Sequence, residues 1–153
     1  MKFISIGAAA FMLSVSTAAL ASSLSEDNRA QLTAHIASYE QRMNEVADSI
    51  WSNPELGYLE TATVDLLAGE LEQNGFTIQR EVGGIPTAFI ASAGSQNGPV
   101  IAILAEMDAL PGFSQAAVPH QEGVEGTENG HACGHHLFGA GSVAAAIAIS
   151  KWM

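Results

Sequence analysis

The pattern of the chain predicts an α/β domain in which helices cover both faces of a mixed sheet. Three observations carry this. Two stretches with apolar residues at three- and four-residue steps come first, and two short alternating stretches follow them. Residues 100–105 then form an unbroken apolar run, the mark of a strand covered on both faces. Residues 139–153 are rich in Gly and Ala and read as a helix able to lie close against a sheet. The whole chain, 153 residues, is about one domain's worth.

Taken in order, residues 1–21 read as an export signal. Lys2 supplies the positive start, residues 3–20 are apolar and Ala-rich, and Ala19-Leu20-Ala21 fits a small-x-small cleavage site before Ser22. The run is diluted by Ser and Ala, which argues against a membrane anchor. The expected location is periplasmic or secreted, with residues 22–153 as the mature part. Residues 25–52 are predicted as one long amphipathic helix. Leu32, Ile36, Tyr39, Met43, Val46 and Ile50 mark its apolar face, Ser25 its N-cap and Asn53-Pro54 its end. Residues 60–74 form a second helix, with Val64, Leu67 and Leu71 inward and Gly75 as its stop. Residues 76–82 and 87–93 alternate as strands around Gly83-Gly84. The Gly- and Pro-rich residues 109–130 make a loop long enough to be functional. Trp51 and Tyr58 flank Pro54 and are expected to pack that junction.

Charge narrows the partners. With five Lys and Arg and a formal net charge of −11, the chain has no basic patch, so nucleic acid and anionic membrane surfaces are excluded.

Chemistry concentrates in Gly130-His131-Ala132-Cys133-Gly134-His135-His136, which holds three of the five histidines and the sole cysteine. A single Cys cannot form an internal disulfide, and an exposed thiol in an oxidising compartment is a liability unless a metal protects it. In an extended loop Cys133 and His135 would point the same way and could hold a divalent ion. The start of the following helix, near Leu137, would favour the thiolate. Asp108 lies at the carboxyl end of the apolar run, where ligand sites of such sheets form, and could hydrogen-bond a ligand. His131 and His136 are weaker metal candidates, and either could be a plain loop residue. The competing reading for the whole cluster is a buried, inert Cys with solvated histidines. His35 and His120 are left without a role, and Glu122, Glu125 and Glu128 read as solvated loop charges. A thiolate with imidazole suits zinc, while manganese and nickel stay open.

The chain resembles the co-catalytic metal amidohydrolases and peptidases that include aminoacylase, hippurate hydrolase and the auxin-conjugate hydrolases. The resemblance rests on Asn53-Pro54-Glu55-Leu56-Gly57, Glu60-Thr61-Ala62-Thr63, residues 71–76 and 98–105, Glu106-Met107-Asp108-Ala109-Leu110-Pro111 and residues 130–139. Cys133-Gly134-His135 followed by His136-Leu137-Phe138-Gly139 looks most like the aminobenzoyl-glutamate hydrolase branch. The resemblance implies a zinc-peptidase-like catalytic domain and two divalent metal ions, zinc or manganese. It implies metal ligands at Cys133 and His135, an acidic position near the site at Asp108, and hydrolysis of the amide in a small acyl- or aroyl-amino acid by a homodimer. The ions would polarise the carbonyl and activate water, with a Glu as base. Ala105 and Glu106 stand where such proteins usually have Arg and Asp, and His136 where many have Asp.

In that family the catalytic Glu, further ligands and a dimerisation domain lie beyond the part matched here. The sequence is therefore expected to be the N-terminal part of a longer hydrolase, with weak metal affinity and no turnover by itself. Two other functions fit the cluster: a periplasmic metal-binding module without catalysis, and a cysteine hydrolase built on Cys133 and a histidine base.

Overall fold

The computed structural model describes residues 24–95 and 97–153. The export signal, residues 1–21, lies outside the described residues. Among these residues no helix is long and apolar enough to cross a membrane. The architecture is mixed α/β: four helices and two small two-stranded sheets.

The stretch predicted as one helix is two. α1 spans Glu26–Ala37 and α2 spans Glu40–Ser52. Ser25 caps α1 as expected, its hydroxyl accepting the Asn28 N–H at 3.2 Å, with Glu26 and Asp27 at the positive end. The break falls at Ser38-Tyr39. There the Ser38 hydroxyl donates to the His35 carbonyl at 2.7 Å, and a local side-chain bond of this kind competes with helical pairing. Tyr39 is meanwhile anchored elsewhere, its hydroxyl taking Asn74 Nδ2–H at 2.6 Å and reaching Glu70 at 3.1 Å. As a result α1 buries none of its residues, and Ile36 is half exposed. Apolar periodicity predicts burial there, but only the α2 half achieves it.

α2 buries Met43, Val46, Ala47 and Ile50 against Leu67 and Leu71 of α3 (Thr61–Gln73) and against Ala140, Val143 and Ile147 of α4 (His135–Trp152). Each such large side chain contributes about 1.5–3 kcal/mol by leaving water. One ion pair is folded into this packing. Glu70 is buried, and Arg42, itself half exposed, donates to it from both Nε and Nη2.

β1 (Thr77–Arg80) and β2 (Phe89–Ser92) form an antiparallel hairpin in register Thr77 to Ser92, with Ile78, Phe89 and Ala91 packed on the helices. Gly75 stops α3 and Gly83-Gly84 turn the hairpin, all three at positive φ where L side chains are strained. The second sheet is minimal. β3 (Leu110–Pro111) pairs antiparallel with β4 (Asn129–Gly130) and ties off the long loop between them.

Residues 100–105 are not a strand. They are extended and exposed, Val100 at 91% and Leu104 at 85%, and among the described residues no strand pairs with them. An apolar run signals a covered strand only if neighbours exist to cover it and to take its N–H and C=O groups. Here the one hairpin is paired with itself. α4 also begins earlier than predicted, at His135, which puts His135 and His136 in its first turn.

Candidate metal centre

Residues 106–109 are held from two sides. The Ala109 N–H donates to the Glu55 carbonyl at 2.7 Å, and Leu56 bridges Ala109 in parallel pairing. On the other side the segment lies against α4 at Gly139, where an added Cβ would stand 3.2 Å from the Glu106 carbonyl oxygen and 3.2 Å from Leu67 Cδ1. The small-residue face of α4 thus does what the sequence predicts, but for the chain after the apolar run rather than for a sheet. Further support comes from Ser142, whose hydroxyl donates to the Leu104 carbonyl at 3.2 Å.

Glu55 secures the other wall. Its carboxylate caps α3, accepting the N–H groups of Ala62 at 3.0 Å and Thr63 at 2.8 Å and the Thr61 hydroxyl at 3.3 Å. Burial by itself would push its carboxyl up. The Thr63 and Ala62 N–H groups outweigh that and hold it below the ordinary 4.5.

This scaffold brings Glu106, Asp108 and His135 together, with one ligand atom from each within 4.8 Å of the others. His135 lies between the carboxylates. Its Nδ1 is 2.8 Å from Asp108 Oδ1, and its Nε2 is 2.9 Å from Glu106 Oε2. Asp108 therefore stands where the sequence places it, beside a ligand. Sequence reasoning does not single out Glu106 as a site residue. The one available signal is its position two residues before Asp108, since alternation along an extended segment puts both side chains on one face.

Cys133 is exposed and is not part of this group. Cys133 lies in a turn, Gly134 is left-handed at φ 77°, and His135 opens the helix, so Cys133 and His135 do not share an extended strand. His131 and His136 lie apart, in a ring stack with Trp51. The Trp51 and His136 ring centroids are 4.8 Å apart, edge to face, and those of His131 and His136 are 5.1 Å apart. His131 is buried, with Nε2 3.2 Å from the Ile50 carbonyl at the end of α2. Burial is the main cause that lowers the pKa of both rings, which favours the neutral imidazole. Of the remaining candidates, His120 pairs with Glu122 on the surface at 2.9 Å, and His35 is half-buried in α1. Tyr58 is 68% exposed and does not pack the Pro54 junction, whereas Trp51 does line it.

The group suits a divalent cation on its own chemistry. Asp108 fixes Nδ1 as the donor, which leaves the Nε2 lone pair facing a carboxylate. A lone pair and an anion at 2.9 Å repel unless a proton or a cation lies between them.

No protein-family profile matches the chain. Individual proteins do. One of the two chains of p-aminobenzoyl-glutamate hydrolase from Escherichia coli (strain K12) is 51% identical over 114 residues, 74% of this chain and 24% of that protein. N-acetylcysteine deacetylase from Bacillus subtilis is 32% identical over 114 residues, 74% of this chain and 29% of its own length. Thermostable carboxypeptidase 2 from Saccharolobus solfataricus is 37% identical over 92 residues, 60% of this chain and 23% of its own length. The chain thus spans about a quarter of the length of the curated relatives it matches. Over the stretch it shares with them, it belongs to the family of amidohydrolases and carboxypeptidases that these proteins represent.

Proposed function

We propose that residues 22–153 contribute the first part of the metal site of an amidohydrolase that splits the amide bond of an N-acyl or N-aroyl amino acid. The observation that carries this is His135, held at Nδ1 by Asp108 with Nε2 turned to Glu106. The cation would sit against Nε2 and the Glu106 carboxylate. Zinc or manganese suits that donor pair, and Cys133, exposed one residue before Gly134, is the soft donor available to join it. A divalent ion there polarises an amide carbonyl and lowers the pKa of water. Asp108 sets the tautomer and orientation of His135, and Glu106 neutralises part of the cation's charge. The neutral His131 and His136 rings form a wall behind the site.

The finer readings belong to the same proposal: a second metal ion, a zinc-peptidase-like mixed sheet, a homodimer and export to the periplasm. Supporting the larger sheet is the exposed apolar segment 100–105, which offers unpaired backbone to further strands. A cysteine hydrolase fits less well, because both ring nitrogens of His135 face carboxylates rather than the Cys133 thiol.

A chimera tests this. The stretch matched here replaces its counterpart in the E. coli p-aminobenzoyl-glutamate hydrolase chain, 51% identical over 114 residues. The chimera should hydrolyse p-aminobenzoyl-glutamate, lose activity to a chelator and regain it with manganese or zinc. His135→Ala should lower kcat/KM by more than about 100-fold, beyond the roughly 10–100-fold typical of outer partners. A folded chimera whose activity is indifferent to His135 and to chelator contradicts the proposal.

A further inference from the structure

Behind the metal-binding group lies a cavity that the chemistry proposed for His135 does not use. It measures about 270 Å³ and opens between the end of α2 and the loop tied off by β3 and β4. Trp51, Pro54, Ala116 and Val124 give it apolar walls, and Asn129 and His131 line it as well. The loop wall is cross-braced rather than loose. Gln115 Nε2–H donates to the carbonyls of Ala116 at 2.9 Å and His120 at 2.8 Å, the Val124 N–H donates to the Ser114 hydroxyl at 2.9 Å, and Asn129 Nδ2–H reaches the Pro54 carbonyl at 3.4 Å. Gly130 seals the corner: an added Cβ would stand 1.9 Å from the Phe113 carbonyl oxygen.

Two features define what would fit. The first is size. An apolar cavity of about 150 Å³ accepts benzene, and pockets for drug-sized molecules begin near 300 Å³, so this one suits a single substituted ring. The second is an unmet hydrogen bond. His131 is 4% exposed, and its Nδ1 is buried with no partner. Its Nε2 faces the Ile50 carbonyl and must donate there, which leaves Nδ1 as a lone pair lacking a donor. The cavity walls carry no Lys or Arg, so they offer nothing to a carboxylate.

We propose that this cavity receives the aromatic ring of an aroyl compound, specifically a ring bearing an amino or hydroxyl donor that satisfies His131 Nδ1. The biological meaning of the site rests on the amidohydrolase reading. The binding event does not, so it is measured without metal.

The test uses the purified chain in EDTA, followed by 1H–15N NMR at the Trp51 indole and the Asn129 amide, with neutral probes. 4-Aminobenzamide should bind saturably with Kd on the order of 1 mM, as suits a ligand of ten heavy atoms. Benzamide, which lacks the donor, should bind about fivefold more weakly, and cyclohexanecarboxamide more weakly still. Ala116→Leu and, from the other wall, Val124→Phe should each weaken binding by about tenfold or more while leaving the rest of the spectrum in place. Absence of saturable shifts at these two groups overturns the proposal. So does equal affinity for 4-aminobenzamide and benzamide, or unchanged binding in both filled variants. Because chelator is present throughout, failure of the metal-site reading would leave this result unaltered, and failure here would leave metal binding unaltered.

Discussion

Asp108 holds His135 by its Nδ1 at 2.8 Å, although 27 positions separate them along the chain. The bond fixes which ring nitrogen carries the proton and therefore which can bind a cation. Asp108→Asn keeps the shape but loses the anion. The expected result is a shift of the His135 ring toward the other tautomer, read by 15N NMR, together with an affinity for manganese or zinc lower by roughly 10–100-fold. An unchanged tautomer with unchanged affinity would remove Asp108 from the site.

Glu55 links the Asn53-Pro54-Glu55-Leu56-Gly57 stretch to helix stability. Its side chain caps α3 while its backbone carbonyl holds Ala109. Glu55→Ala should cost about 1 kcal/mol, the usual value of a lost cap. The sign of the pH dependence follows from its lowered pKa. The carboxylate's extra stabilisation is fully present above the ordinary value of 4.5 and is lost as pH falls through the lower folded value. Urea denaturation of the wild type and Glu55→Gln should therefore differ most near neutrality and converge in acid. A gap that widens in acid would contradict the assignment.

Glu70 is buried with Arg42 as its charged partner. Arg42→Met leaves that carboxylate uncompensated. Complete burial of such a pair would make the loss about 3–5 kcal/mol. Since Arg42 is half exposed and water can reach the pair, roughly 2 kcal/mol is expected. Adding Glu70→Gln should recover most of the loss, and a double-mutant cycle by thermal or urea unfolding measures the coupling. Strict additivity would mean that the pair does not interact.

Gly139 lets residues 106–107 lie on α4. Gly139→Leu forces the Glu106 backbone away from the helix, since the Cβ position alone already stands 3.2 Å from that carbonyl. Helix content by circular dichroism should hold, because Leu is a good helix former. Metal affinity should fall even though no ligand is altered. Retained affinity would show that Glu106 takes its position independently of α4.

Local signals make much of this legible. Ser25, Gly75 and Gly83-Gly84 act as punctuation where the sequence places them, since capping and positive φ depend on near neighbours alone. The failures come where a distant partner decides. The break at Tyr39 depends on Glu70 and Asn74 in α3, far along the chain. Residues 100–105 read as a covered strand because their apolarity is visible in the sequence, while the lack of a pairing strand among the described residues is not. At the site, Asp108 and His135 are both anticipated and do meet, while Glu106 escapes notice. Its role depends on the Gly139 contact, which composition does not reveal.

On the proposed reading, Glu106 and His135 hold a divalent cation between them. Isothermal titration of manganese and zinc into the purified chain, beside His135→Ala and Glu106→Gln, tests this most directly. Saturable binding of at least one ion is expected, abolished by His135→Ala and weakened about tenfold or more by Glu106→Gln. Binding of equal strength in all three proteins, or none in the folded wild type, would contradict it.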